Sequence, residues 1–193
     1  METTTGRGRV RDLILRTALH LFANHGYFNT SVHDIQASAG VSIGSIYNHF
    51  GGKEGVARAL YADLVERMDS FVERVIDGEG DTRSKGRALV AGLFSMAEND
   101  PEVVGYVLNS RHREFLPDEL PICSAEPFVR MRDLIRDGIE KGEVRDMDPI
   151  VAASCAYGPA LRMIGLRLDG LVRDALPKYT DPVWNAAWKS IAA

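Results

Sequence analysis

Between Thr30 and Lys53 the chain gathers hydroxyls (Thr30, Ser42, Ser45), a phenol (Tyr47), an amide (Asn48), an imidazole (His49) and an ammonium (Lys53) around Gly40, Gly44 and Gly51-Gly52. Mostly neutral donors interleaved with glycine suit hydrogen bonding to phosphate oxygens and base edges, where the backbone must come close. They do not suit covalent chemistry. The chain has no Walker phosphate loop, Gly-x-Gly-x-x-Gly turn, Gly-x-Ser-x-Gly elbow or zinc-ligand helix, so no reaction can be named. Turnover of a ligand without DNA binding would favour an enzyme instead. His112, Cys123 and Cys155 carry the groups that bind metals or haem, but no ligand-spaced pair such as Cys-x-x-Cys accompanies them. No metal or cofactor is therefore expected. The alternative, a metal, haem or redox role, would be removed by an intact ligand response in a Cys123→Ser, Cys155→Ser double variant.

The elements that must position these groups read as helices. Val10, Leu13, Ile14, Ala18, Leu21 and Phe22 recur at three- and four-residue steps, which predicts an amphipathic helix over about 8–25, stopped by Gly26. Thr30 or Ser31 supplies the N-cap of a short second helix, with Asp34 three residues after Ser31 as in a capping box. Gly40 ends it. After Val41, Ser42 caps a third helix that runs to Phe50. A long fourth helix spans Lys53 to Ile76. Its apolar positions keep helical period throughout, so it bridges to the next domain. Beyond Gly78-Glu79-Gly80, helices are predicted over roughly 82–99, 102–115, 125–141, 149–172 and 180–192, with Leu116–Cys123 as the main interior loop. The expected fold is all-α with about nine helices. A three-helix domain spans 1–52, and a second helical domain spans 53–193.

On a helical wheel the third helix sends Ile46 and Phe50 to one side, while Ile43, Gly44, Tyr47 and Asn48 share an adjoining arc. One face is core and the other is free to read something. In a helix-turn-helix the second helix lies in the major groove with its N-terminal residues at base edges. Ser42, Gly44 and Ser45 give the closeness this needs, and Tyr47 gives reach.

The run Thr30-Ser-Val-His-Asp-Ile, then Ala39-Gly-Val-Ser-Ile-Gly-Ser-Ile-Tyr-Asn-His-Phe50 and Lys53-Glu54, resembles the DNA-binding domain of TetR-type regulators over residues 10–60. The Leu-Phe and Gly-Tyr ending of the first helix matches as well. Past residue 60 only the all-helical layout and length are similar. The resemblance implies a helix-turn-helix DNA-binding domain over 1–52 and an effector-binding (ligand-binding) and dimerisation domain over 53–193. The resemblance implies that Thr30, Ser42, Tyr47, His49 and Lys53 contact phosphates, while Ile43, Gly44 and Tyr47 face bases. Position 43 departs from the family's frequent polar or basic residue. An isoleucine offers only apolar contact, for example to a thymine methyl, which predicts a modest A·T preference.

Segment 149–172 is rich in small residues, and Val183, Trp184, Ala187, Trp188 and Ile191 give the last helix an apolar face. By resemblance these two helices, within residues 149–192, pair with their copies in a homodimer, so that two modules grip one pseudo-palindromic operator. Pro159 removes one helical hydrogen bond inside the first of them and predicts a kink. Phe94, Met96, Tyr106, Ser110, Phe128, Met131, Ile135, Cys155 and Met163 combine apolar bulk with a few polar tips, the composition of a pocket for a small, largely apolar effector. The resemblance implies that the effector releases the operator by shifting the separation of the recognition helices. An activator, or a ligand-independent factor with a filled core, is the alternative.

The bulk numbers fit. Net charge is −4, but residues 1–58 carry six basic against four acidic side chains and the remainder 17 against 23, a mildly basic front on an acidic body. Two distant cysteines argue against a disulfide framework. No stretch approaches the roughly 20 apolar residues of a membrane span, and the N-terminus lacks the apolar core of a secretory signal. A cytoplasmic protein is expected.

Overall fold

Caps and glycines delimit the helices before packing does. In this computed structural model, which describes residues 3–109, 114–119 and 124–193, nine α-helices succeed one another. They are α1 Thr3–His25, α2 Val32–Ala39, α3 Ile43–Phe50, α4 Lys53–Ile76, α5 Thr82–Asn99, α6 Pro101–Asn109, α7 Glu126–Glu140, α8 Pro149–Leu168 and α9 Thr180–Ile191. Among the described residues there is no strand, only an isolated antiparallel bridge between Val144 and Ala192.

The helices form two compact units, which divide between Leu64 and Val65 inside α4, whereas the sequence boundary at residue 52 falls at the helix's start. The first unit is Met1–Leu64 together with Gly105–Pro121. Its core takes Ile14, Ala18 and Phe22 from α1, Ile35 from α2, Ile46 from α3 and Val56, Ala57 and Leu60 from α4. The inserted segment adds Tyr106 and Leu116, both buried. α6 falls on the helix expected over 102–115, of which residues 110–113 lie outside the described residues and 114–115 are not α-helical. It begins at Pro101, whose missing N–H is no loss in a first turn, and Leu116–Glu119 is a turn closed by the Glu119 N–H on the Leu116 carbonyl at 3.1 Å, with Pro117 at its second position.

The second unit is Val65–Val104 with Ile122–Ala193. Here α8 packs along α9, α7 and α5, burying Ala152, Ala153, Ala156, Tyr157, Ala160 and Ile164. Small side chains let the helix axes approach. Two glycines of α5 serve the same end: a Cβ on Gly86 would lie 2.3 Å from the Trp184 ring, and one on Gly92 would lie 2.0 Å from Phe71. Glu98 ties α5 to α8. It accepts a fork of hydrogen bonds from Arg167 at 2.8 and 3.0 Å and one from the Leu176 N–H at 2.9 Å. Leu176 opens a short 3-10 turn, Leu176–Tyr179, that sequence periodicity did not disclose.

α8 departs from two expectations. It stops at Leu168 and not near 172, because Gly170 takes a left-handed φ of 74° and the Leu171 N–H turns back to the Leu166 carbonyl. It is also long and apolar enough to cross a membrane by length and composition. Its packing against three neighbouring helices makes it a core helix instead. The helix runs unbroken through Pro159.

Candidate functional site

α2 opens at Ser31. The Ser31 hydroxyl accepts from the Asp34 N–H at 3.1 Å, while the Asp34 carboxylate accepts from the Ser31 N–H at 2.7 Å. The Ser31 hydroxyl also donates to the Asp34 carboxylate at 2.7 Å, and this bond first, then the one from the Ser31 N–H, holds the Asp34 carboxyl below its ordinary range. Thr30 has a different place from the one the resemblance implied. It is 2% exposed and its hydroxyl donates to the Gly26 carbonyl at 2.9 Å, so it braces the α1–α2 turn from inside and does not offer its hydroxyl outward.

Gly40 ends α2 at φ 63°, its N–H on the Gln36 carbonyl. Two residues later Ser42 caps α3, its hydroxyl accepting from the Ser45 N–H at 3.1 Å. A cap at each end and a left-handed glycine between them fix the angle at which α3 leaves α2. Of α3 only Ile46 is fully buried; Ser42, Gly44, Tyr47 and Asn48 are exposed, and Ile43, Ser45, His49 and Phe50 are half-buried. Tyr47 is 54% exposed. A Cβ on Gly44 would come no nearer than 3.8 Å to another atom, the Ser42 hydroxyl. Nothing inside the unit therefore demands glycine there, and the space it leaves faces outward.

α3 ends at Gly51, φ 75°, with its N–H on the Tyr47 carbonyl at 2.9 Å. The next helix crosses close by. A Cβ on Gly55 would fall 1.6 Å from the Phe50 carbonyl oxygen, so only glycine permits this crossing. Sequence reading missed Gly55. The signal was available, since glycine in a helix costs ~1 kcal/mol relative to alanine and invites a packing reason.

Lys53 stands at the first position of α4, where the helix N-terminus favours anions. Its Nζ donates to the Tyr27 carbonyl at 3.0 Å and lies over the Tyr27 ring, 4.0 Å from the centroid. Partial burial lowers its pKa. On the other flank of α3, the Arg11 guanidinium lies 6.0 Å from the centroid of the Phe50 ring.

The residues expected around an effector divide between the units. Phe94, Met131 and Ile135 are buried and Met96, Phe128, Cys155 and Met163 half-buried, all on α5, α7 and α8 of the second unit. Tyr106 is in the first unit, its ring 6.3 Å from that of Phe22, and burial raises its phenol pKa with a smaller push from Tyr27. Ser110, His112 and Cys123 lie outside the described residues. Among the described residues no group of three or more His, Cys, Asp and Glu side chains could hold a metal ion.

α8 presents a second surface. Ile150 is 66% and Val151 49% exposed, and further along the helix Gly158, Leu161 and Gly165 are half-exposed. Ile150, Gly158, Leu161 and Gly165 keep helical spacing along one stripe. A Cβ on either glycine meets no atom of the described residues within 4 Å.

Known proteins share these features. Residues 14–60 match the family model described as bacterial regulatory proteins, tetR family. The HTH-type transcriptional repressor KstR2 of Rhodococcus jostii is 30% identical over 152 residues, covering 76% of this chain and 74% of that protein. Among solved structures, the transcriptional regulator FadR from Bacillus subtilis in complex with stearoyl-CoA superposes with a TM-score of 0.75 at 22% identity, covering 93% of this chain and 98% of that one. The ketosteroid transcriptional regulator KstR2 of Mycobacterium tuberculosis does so with a TM-score of 0.67 at 20% identity, covering 95% of each chain. A capped helix-turn-helix, an all-helical second unit and this degree of identity agree: the chain belongs to the TetR family of bacterial transcriptional regulators.

Proposed function

We propose that this regulator is a repressor that grips a pseudo-palindromic operator as a homodimer and lets go when a small, largely apolar effector binds its second unit. The observation that carries the reading is α3, a short helix capped at both ends with Ile46 alone fully buried and Gly44, Tyr47 and Asn48 open. Ile43, Gly44, Tyr47 and Asn48 address base edges; Ser42, His49 and Lys53, with Tyr47, address phosphates. Thr30 serves the turn behind them.

The α8 stripe supports dimerisation with α9. A glycine inside a helix is unfavourable by ~0.5–1 kcal/mol, and neither Gly158 nor Gly165 has a neighbour among the described residues that would need it. A second copy crossing closely at those positions supplies the need. Dimerisation also answers the modest charge of the DNA-binding front, since two modules share one site.

For the effector, Phe94, Met96, Phe128, Met131, Ile135, Cys155 and Met163 supply apolar and polarisable surface from three helices of one unit. A fatty acyl thioester is the first ligand class to test, because the FadR relative was crystallised with one. Genomic fragments selected by the purified protein, followed by titration of the best site over a salt series and then against stearoyl-CoA, test each part. A discrete pseudo-palindromic site bound by two chains, and weakened by the thioester, is the expected result. Only weak, sequence-indifferent binding would refute operator recognition by the free protein.

A further inference from the structure

A segment far from the helix-turn-helix in sequence packs on the residue that holds Lys53. Phe115 stacks on the Tyr27 ring at 4.1 Å and 13°, and Tyr27 is the residue whose carbonyl and ring engage the Lys53 ammonium. Next to Phe115, Leu116 is fully buried. Three residues on, Glu119 accepts from Arg58 at 2.9 Å, and Arg58 also bonds Glu54 in the first turn of α4 at 3.0 Å. The turn Leu116–Glu119 is thus fastened beside both ends of the arrangement, the Tyr27 ring and the start of α4.

An ammonium has three donors. In Lys53 one is spent on the Tyr27 carbonyl and the Tyr27 ring lies against the ammonium, so the side chain is held in one place at a helix N-terminus with donor capacity to spare. Fixing a flexible lysine in advance removes the ordering cost that it would otherwise meet on binding. We infer that Phe115 is a positioning residue for operator binding, which acts by holding Tyr27 so that Lys53 is aimed at a phosphate. This rests on Lys53 being a phosphate contact, and Glu119 supports it by anchoring the same turn to α4.

The test is a double-mutant cycle on the full-length protein and its selected operator, with Lys53→Met, Phe115→Leu and the pair, each titrated over a salt series. Phe115→Leu keeps apolar bulk for folding but loses the flat stacking face, and Phe115→Tyr restores that face. Lys53→Met should flatten the plot of log K against log salt by ~0.9 per contact, about 2 for two half-sites. Phe115→Leu should weaken binding and flatten the plot in the same sense, Phe115→Tyr should recover both, and Phe115→Leu should add nothing in the Lys53→Met background. No effect of Lys53→Met would overturn both the phosphate contact and the inference. An effect of Lys53→Met with an equal Phe115→Leu loss in either background would overturn the inference alone, as would tighter binding by Phe115→Leu.

Discussion

Replacing Gly158 by leucine separates a glycine kept for the chain's own fold from one kept for a partner. A Cβ at this position meets no atom of the described residues within 4 Å, so the isolated chain should accept the larger side chain. It should even gain ~0.5–1 kcal/mol, the usual helix-interior difference between glycine and a good helix former. Across a two-fold axis the same change enters the interface twice. Overpacking costs ~1–3 kcal/mol per site, hence ~2–6 kcal/mol for the pair. At 1.4 kcal/mol per decade this raises the dimer Kd roughly 30-fold to 10⁴-fold. Sedimentation equilibrium over a concentration series measures the Kd, and denaturation below the dimer Kd measures the stability of the single chain. A wild-type dimer Kd in Gly158→Leu would refute the α8 crossing, and lowered single-chain stability would refute the open space around Gly158.

Other outcomes depend on single contacts. Gly55→Ala places a methyl 1.6 Å from the Phe50 carbonyl oxygen, so it should cost ~1–3 kcal/mol of stability and displace α3; an unchanged melt and operator affinity would contradict so close a crossing. Glu98 is held down to about 2 from an ordinary 4.5, first by its hydrogen bonds from Arg167 and then by the Leu176 N–H. Because the folded pKa is the lower one, the stability it adds is fully present above 4.5 and is lost as pH falls towards 2. Wild type should therefore exceed Glu98→Gln by a constant margin in melts above pH 4.5, a margin that closes towards pH 2. Ile43→Ala should relax a modest A·T preference at one operator position in each half-site, and an unchanged selection profile would remove Ile43 from base readout. Linkage requires that operator DNA weaken effector binding by the factor by which effector weakens operator binding; calorimetry with and without operator checks it.

Much of the DNA-binding unit was legible because its determinants are local. The Ser31–Asp34 capping box, the Ser42 cap, the left-handed glycines at 40 and 51 and the core face of Ile46 each depend on residues within one or two turns. The approximate spans of α4 and α5 were legible, since both their period and their flanking breaks are in the sequence. Thr30 was harder. A threonine before a helix reads as a surface hydroxyl, and only the path of α1 and the turn after it, which brings the Gly26 carbonyl to 2.9 Å, turns it inward.

The sequence by itself determined the helices, their order and the position of the capped third helix, because helical period, capping and glycine conformation act over a few neighbouring residues. Tertiary structure alone decided that Tyr106, Phe115 and Glu119 belong with the DNA-binding unit, that Lys53 rests on Tyr27, and that Gly158 and Gly165 face outward. Those facts arise from contacts between residues far apart along the chain, where no periodicity links the partners and only the packing of one helix against another selects them.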